Sequence, residues 1–250
     1  MQKYFINEVI ELNKDFIIEE SDHHHIEKVM RNRNGDQIIC VDLNHLQYLS
    51  IIEDVTKGII KPIEKLDIDN ELDVEVTLAY ALPKGDKFEL VLQKATELGV
   101  HNIIPLSTKR CVVKLTKDKF LKKLPRYQKI LKEASEQSGR NRIPNIEEVK
   151  TIKELKNYLK DYNLVAYEET AKQHEHGQLH HTLLQLKKGD SILIVVGCEG
   201  GFDESEILEL NEMGVKCCSL GNRILRSETA PLYLLSVIGY ARELAKWFVY

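Results

Sequence analysis

The chain reads as an α/β protein with a smaller β-rich region at its N-terminus, and three observations predict this. From about residue 74 onward, apolar runs of strand length alternate with segments whose apolar residues recur at helical spacing, the pattern of a largely parallel sheet flanked by helices. Before about residue 70 the apolar runs are short, often alternating, and broken by polar turns. Near the C-terminus, segments 192–202 and 220–230 each carry glycines after an apolar run and lead into a helical one.

In the N-terminal region the strand candidates are Tyr4-Phe5-Ile6, Phe16-Ile17-Ile18, Gln37 to Val41 and His45 to Ile52. Ser21 and Asp22 offer an N-cap for a short helix from His23 to Arg31, and Asn34-Gly35-Asp36 turns the chain into the next strand. The polar stretch Asp67 to Glu71 sets a boundary near residue 72, giving domains 1–72 and 73–250. Beyond it Val74 to Tyr80 is a strand, and Phe88, Val91, Leu92, Ala95 and Leu98 share one helix face. Gly99 stops that helix before the strand Asn102 to Leu106, completing a βαβ unit. Further strands are expected at Asn163 to Tyr167, Ser191 to Val196 and Val215 to Leu220, with helices at 117–138, 203–212 and 230–248. Asp203 precedes one of these helices as its cap.

With 250 residues, 43% of them hydrophobic, the chain can bury a sizeable core. No run approaches the roughly 20 apolar residues of a membrane span, and the first residues lack the apolar core of a secretion signal, so a cytoplasmic protein is expected. Five cysteines without C-x-x-C spacing (Cys40, Cys111, Cys198, Cys217 and Cys218) read as reduced, mostly buried thiols. The histidine-rich segment Lys172 to His181 fits no standard zinc spacing and reads as a solvated connector, and His23, His24 and His25 point in different directions on a helix, so no metal is expected.

A formal net charge of −4 hides a strong asymmetry. Between Ser107 and Arg142 twelve Lys or Arg face three acidic residues, a balance of +9 and a plausible phosphate-binding surface. Up to Glu75 the balance is −9, which leaves only local basic groups there, His24, Lys28, Arg31 and Arg33, to meet an anionic partner.

The two glycine segments bring backbone N–H and C=O groups to a ligand at the carboxyl edge of a sheet. Neither fits G-x-G-x-x-G or G-x-x-x-x-G-K-[ST], and no lysine or metal-binding hydroxyl stands where an anion cradle needs one, so a phosphate-dependent enzyme ranks last. Together, Gly197-Cys198-Glu199-Gly200-Gly201-Phe202 and Leu220-Gly221-Asn222-Arg223-Ile224-Leu225-Arg226-Ser227-Glu228-Thr229-Ala230 closely resemble the signature of the RsmE family of SPOUT methyltransferases. The likeness extends to His24–Arg31, Lys94–Val100, Thr108–Cys111 and Glu133–Asn141, in family order along nearly the whole chain. Two departures stand out: Cys198 where the family usually has proline, and Lys3 where an arginine is common.

The resemblance implies an S-adenosylmethionine-dependent enzyme that methylates N3 of one uridine in 16S ribosomal RNA of the small subunit. It implies a SPOUT-type α/β domain with a trefoil knot behind a PUA-like RNA-binding β-barrel, and a homodimer joined through the final helix, Ala230 to Trp247. Residue by residue it assigns Gly197, Glu199, Gly200, Gly201, Leu220, Gly221, Leu225, Thr229 and Ala230 to the cofactor, Glu199 chiefly in fixing its loop or a dimer contact. Lys3, His24, Lys28, Arg31, Arg33, Lys109, Arg110, Arg126, Arg140 and Arg142 are assigned to RNA.

Uracil N3 carries a proton that must leave before or during attack, so a cation stabilising the anion is needed. Arg110, Arg140 and Arg226 are the candidates, and Glu228 is the nearest acidic residue for a base, or else a partner for helix N–H groups. Two rival readings remain: a SPOUT 2′-O-methyltransferase acting on another RNA, and a non-catalytic RNA-binding ribosome-assembly protein.

Overall fold

The computed structural model describes residues 1–168 and 177–245. The chain forms two units, one of residues 1–71 with 135–142, the other of residues 72–134 with 143–250. A single cut at residue 72 therefore does not describe it, because the segment Ser135–Arg142 is built into the first unit.

The first unit holds a five-stranded sheet of order β1-β3-β4-β5-β2. Its strands are β1 (Lys3–Phe5), β2 (Phe16–Ile17), β3 (Gln37–Val41), β4 (Gln47–Asp54) and β5 (Ile59–Leu66). Strands β1 and β3 run parallel and the other pairs antiparallel. Buried Tyr4, Ile38, Cys40, Ile52 and Ile60 form its core with Ile26 of the helical segment. Strand β5 escapes the sequence reading because Pro62, Lys61, Glu64 and Lys65 break its apolar pattern. Pro62 is accommodated beside a register shift, where Leu49 faces Glu64 and Ser50 faces Pro62.

The predicted N-cap at Ser21-Asp22 is corrected. Helix α1 (Glu20–His24) starts after Glu19, which makes no side-chain cap, and Asp22 lies buried inside the first turn, where a carboxylate complements the helix dipole. The helix continues as a π-helical turn, His25–Val29, and stops at Arg31, whose φ of 56° is left-handed.

The block Gly139-Arg140-Asn141 ties this unit together. Asn141 Nδ2 donates to the carbonyls of His45 and Ile68 at 3.0 and 2.9 Å, and its Oδ1 accepts from Gln47 Nε2 at 2.7 Å. The Arg140 guanidinium pairs with Glu71 through Nε and Nη2, with the two side chains only 3% and 7% exposed.

The second unit holds an all-parallel six-stranded sheet of order β11-β9-β10-β6-β7-β8. Central strands β6 (Glu75–Ala81) and β10 (Ser191–Val196) are buried along almost their whole length, as continuous apolar runs covered on both faces should be. Each of Ile192, Leu193, Ile194 and Val195 is fully buried, a contribution of about 1.5–3 kcal/mol apiece. Flanking them are β7 (Asn102–Leu106), β8 (Asn145–Ile146), β9 (Tyr162–Ala166) and β11 (Lys216–Cys218).

Helix α2 (Lys87–Glu97) ends as expected at Gly99, with φ +87° and the Leu72 side chain 2.8 Å from where a Cβ would lie. Helix α3 spans Lys117–Ser138, and a 3-10 turn covers Lys153–Tyr158. His174 and His176 lie outside the described residues, but the end of that segment is not a connector. It opens helix α4 (Gly177–Gln185), which buries Leu179 and Thr182 at i, i+3 spacing and leaves His180 and His181 exposed. Helices α5 (Glu204–Glu212) and α6 (Thr229–Gly239) follow β10 and β11. Helix α6 runs on into a π-helical turn, Tyr240–Leu244, and the end of the predicted 230–248 helix, with Trp247, lies outside the described residues.

Candidate active site

Strand β10 delivers the first glycine segment at its carboxyl end. Gly201 N–H donates to the Cys198 carbonyl at 2.9 Å in a tight turn, with Gly201 at φ +65°. Gly200 packs closely on Arg110: a Cβ there would lie 3.0 Å from Arg110 Cβ and 3.3 Å from the Arg110 carbonyl oxygen, so a side chain would push the two segments apart by a few tenths of an ångström. Asp203 caps α5 with a capping box, accepting from Ser205 N–H while Glu206 Oε2 accepts from Asp203 N–H at 2.9 Å. The other Glu206 oxygen accepts from Lys109 N–H at 2.8 Å, which pins the Thr108–Cys111 segment beside the loop.

The second segment follows β11. Ser219 Oγ accepts from Gly221 N–H at 3.1 Å, and Gly221 has φ +96°. The chain then enters α6 by a turn in which Thr229 and Ala230 N–H groups donate to the Arg226 carbonyl at 2.9 and 3.0 Å.

Between the segments lies a cavity of about 890 Å³. Of the expected cofactor residues, Gly197, Glu199, Gly200, Gly201, Leu220, Gly221, Leu225 and Ala230 line it, and Thr229 does not: it is the exposed first residue of α6. Arg110 and Arg226 line it as well. Arg110 Nη1 donates to the Gly200 carbonyl at 3.2 Å, holding the first loop from outside. The walls mix apolar Val196, Ile224 and Leu225 with cations and carboxylates, suited to a ligand with both apolar and charged parts.

Lys87, which the sequence reading passed over, joins the two segments. Its Nζ lies 3.0 Å from Glu199 Oε1 in the first and 3.1 Å from Glu228 Oε2 in the second. The Glu228 carboxyl is held below the usual carboxylate range by its own backbone N–H and, against partial burial, by Lys87. Glu228 makes no side-chain cap to α6. The signal for Lys87 was present in sequence: strand β6, then Gly85 at φ +65°, then a helix, is a third instance of the strand, glycine, helix order.

Other predicted residues sit elsewhere. Arg140 is buried against Glu71 and is not part of the cavity wall. Lys3 is 6% exposed and donates to the carbonyls of Gly139 and Arg140 at 2.6 and 3.3 Å, a structural role in the first unit. His24, Lys28, Arg31, Arg33 and Arg142 are exposed. His25 packs on Tyr4, with Nδ1 3.0 Å from the hydroxyl. Arg126 is exposed but paired with Glu89 at 2.6 Å, and Lys109 reaches Ser205 Oγ at 2.6 Å. Lys119, Lys122 and Lys123 are exposed on α3. Among the described residues no group of three His, Cys, Asp or Glu side chains could hold a metal ion, and no helix is long and apolar enough to cross a membrane.

Residues 70–239 match the model of the RNA methyltransferase domain, so the parallel sheet and its glycine-looped cavity are those of an RNA methyltransferase. Over 98% of its length the chain is 44% identical to the ribosomal RNA small subunit methyltransferase E of Bacillus subtilis (strain 168), covering 99% of that protein. It is 34% identical over 94% of its length to the protein of that name from Mesomycoplasma hyopneumoniae (strain 232), covering 98% of it. The crystal structure of the Neisseria gonorrhoeae enzyme of that name, bound to S-adenosyl methionine, superposes with a TM-score of 0.83 at 27% identity over 95% of this chain and 96% of that one. The chain belongs to the ribosomal RNA small subunit methyltransferase E family.

Proposed function

We propose that this protein transfers a methyl group from S-adenosylmethionine to N3 of one uridine in 16S ribosomal RNA of the small subunit. The observation that carries the reading is the cavity between the two glycine segments, whose wall contains all but Thr229 of the residues that the family signature assigns to the cofactor. The residues present fit that group. Gly197 lets the loop pack on Gly201 and Phe202, and Gly200 lets it pack on Arg110; Leu220, Leu225 and Ala230 give apolar walls, and carboxylates offer partners for a cationic ligand.

The bound cofactor supplies an electrophilic methyl on sulfur, and the rest is positioning by the chain. Arg110 and Arg226, both in the cavity wall, would take up the negative charge that develops on the uracil carbonyl oxygens when N3 loses its proton. Glu228 is not among the residues lining the cavity and is held ionised beside it by its own backbone N–H and Lys87, so as a base it would be weak and would leave most of the assistance to the cations. Arg140 stabilises the first unit.

Exposed Lys119, Lys122, Lys123 and Arg142, with His24, Lys28, Arg31 and Arg33, would meet RNA phosphates. The five-stranded sheet supports reading the first unit as a PUA-like RNA-binding module, and the family likeness supports a trefoil knot in the second. Tyr233, Tyr240 and Leu244 stand exposed along α6 and its continuation, an apolar stripe that supports a homodimer through this helix. A ribosomal RNA substrate supports a cytoplasmic location.

Calorimetric titration with S-adenosylmethionine tests the cofactor assignment. One bound molecule per chain, with affinity lost on filling Gly200 with an alanine methyl, is expected. No heat from a folded sample would move the reading to a non-catalytic RNA-binding protein.

A further inference from the structure

Ile224 is used by nothing in the proposed methyl transfer, yet it stands 75% exposed in the cavity wall. The other apolar residues of that wall are buried or half-buried, Val196 and Phe202 at only 2% and 3%. The local chain explains the exposure. Gly221, at φ +96°, breaks the chain after β11, and an irregular segment leads from there to α6. Within it Leu225 reaches into the core of the second unit, and Ile224 and Arg226 on either side of it are left exposed.

Arg223, the residue before, is exposed in the same wall. Among the described residues neither Arg223 nor Arg226 has an ion pair or a side-chain hydrogen bond, whereas Arg110 is already engaged with the Gly200 carbonyl. The segment thus presents a bare aliphatic surface flanked by two unengaged cations. That is the chemistry of a site for a nucleotide, which offers an apolar base face and an anionic phosphate.

The cavity has a closed side and an open one. Buried Val196 and Ala230 belong to the first, exposed Ile224 to the second. Nucleophile, methyl carbon and sulfur must lie in line, so a methyl donor seated against the closed side presents its methyl to the open side, where the base has to enter. Uracil N3 lies on the base-pairing edge. To bring that atom into a cavity between two loops the uridine leaves its stack, and the apolar contact it loses has to be replaced. Ile224 is the exposed apolar side chain of the wall that can replace it.

We propose that Ile224 packs on the face of the unstacked target uridine while Arg223 takes the phosphate of that nucleotide, so that the pair holds the nucleotide on which the transfer acts. The proposal rests on the methyltransferase reading. Packing on Ile224 brings the base next to Arg226, two residues on, which suits the part of that cation toward the uracil carbonyl oxygens. An aliphatic face accepts any base, so the pair positions the nucleotide and does not choose uracil over cytosine.

The test measures transfer of labelled methyl to small ribosomal subunits lacking the modification by Ile224→Ala, Ile224→Leu and Arg223→Gln, with calorimetric titration of S-adenosylmethionine and sedimentation in parallel. All three variants should bind the cofactor within about twofold of the parent chain. For the subunits, kcat/KM should fall about tenfold in Ile224→Ala and stay near the parent value in Ile224→Leu. Arg223→Gln should raise KM with kcat nearly unchanged and flatten the salt dependence of KM by about one phosphate contact. Unchanged kcat/KM in Ile224→Ala would overturn the proposal. A fall in cofactor affinity as large as the fall in kcat/KM would place Ile224 in the cofactor wall and overturn it as well. Activity lost together with a change from dimer to monomer would show a second copy of the chain covering Ile224, with the same consequence. If the parent chain itself labels no subunits, the methyltransferase reading fails; if parent and variants label them equally well, only this inference fails.

Discussion

Lys87 Nζ stands 3.1 Å from Glu228 Oε2, tying the first residue of α2 to the turn that enters α6, and the same ammonium holds Glu199 at 3.0 Å. One flexible cation thus sets the spacing of both glycine segments.

Replacing Lys87 with methionine should loosen both segments without unfolding the sheet. Cofactor affinity should fall about fivefold, the scale of exposed ion pairs, with little change in melting temperature. Glu228 loses a partner that keeps it ionised, so its carboxyl pKa should rise toward the ordinary value, readable by carbon NMR titration. An unchanged Glu228 titration would show that Lys87 does not govern it.

Gly221→Ala tests the second segment. At φ +96° an alanine costs about 1–2 kcal/mol of strain even though nothing lies within 4 Å of the added methyl. Weaker cofactor binding and a lower melting temperature are expected together, by calorimetry and thermal unfolding.

Arg140 and Arg142 are close in sequence and opposite in role. Arg140→Met removes the guanidinium from buried Glu71, which keeps the Asn141 and Arg142 N–H donors, and should cost about 3 kcal/mol in denaturant unfolding. Arg142→Ala at an exposed position should leave stability within about 0.5 kcal/mol while lowering RNA affinity and reducing the salt slope by up to about 1. Equal stability of the two variants would contradict this division.

Lys3 gives a pH signature. Burial lowers its pKa from 10.5 to about 8, with Glu71 opposing the shift. Between those values the unfolded chain holds a proton that the folded chain has lost, so this residue makes stability rise with pH from about 8 to 10.5. In Lys3→Met that rise should flatten, as compared by urea unfolding at pH 7.5 and 9.5.

Much of the second unit was legible because parallel strands buried on both faces are continuous apolar runs, and Gly99 and Asp203 punctuate helices by local chemistry alone. The first unit was harder. Pro62 and the charges around it hide β5, and α1 takes its cap one turn earlier than Ser21-Asp22 suggests. In the site, the glycine segments were readable because backbone approach demands glycine. Arg140 and Lys3 were not, since a basic side chain bound for a buried carboxylate or a carbonyl looks in sequence like one bound for phosphate. For Lys87 the strand, glycine, helix order around Gly85 marks the place, but its pairing with Glu199 and Glu228, each more than 100 residues away from it, is set by the fold and not by any local pattern.

The central claim is tested most directly by transfer of labelled methyl from S-adenosylmethionine to small ribosomal subunits lacking the modification, followed by nucleoside analysis of the digested 16S RNA. The account predicts label in N3-methyluridine, at one site per subunit. Label in a 2′-O-methyl nucleoside, or no transfer by a protein that binds the cofactor, would contradict it.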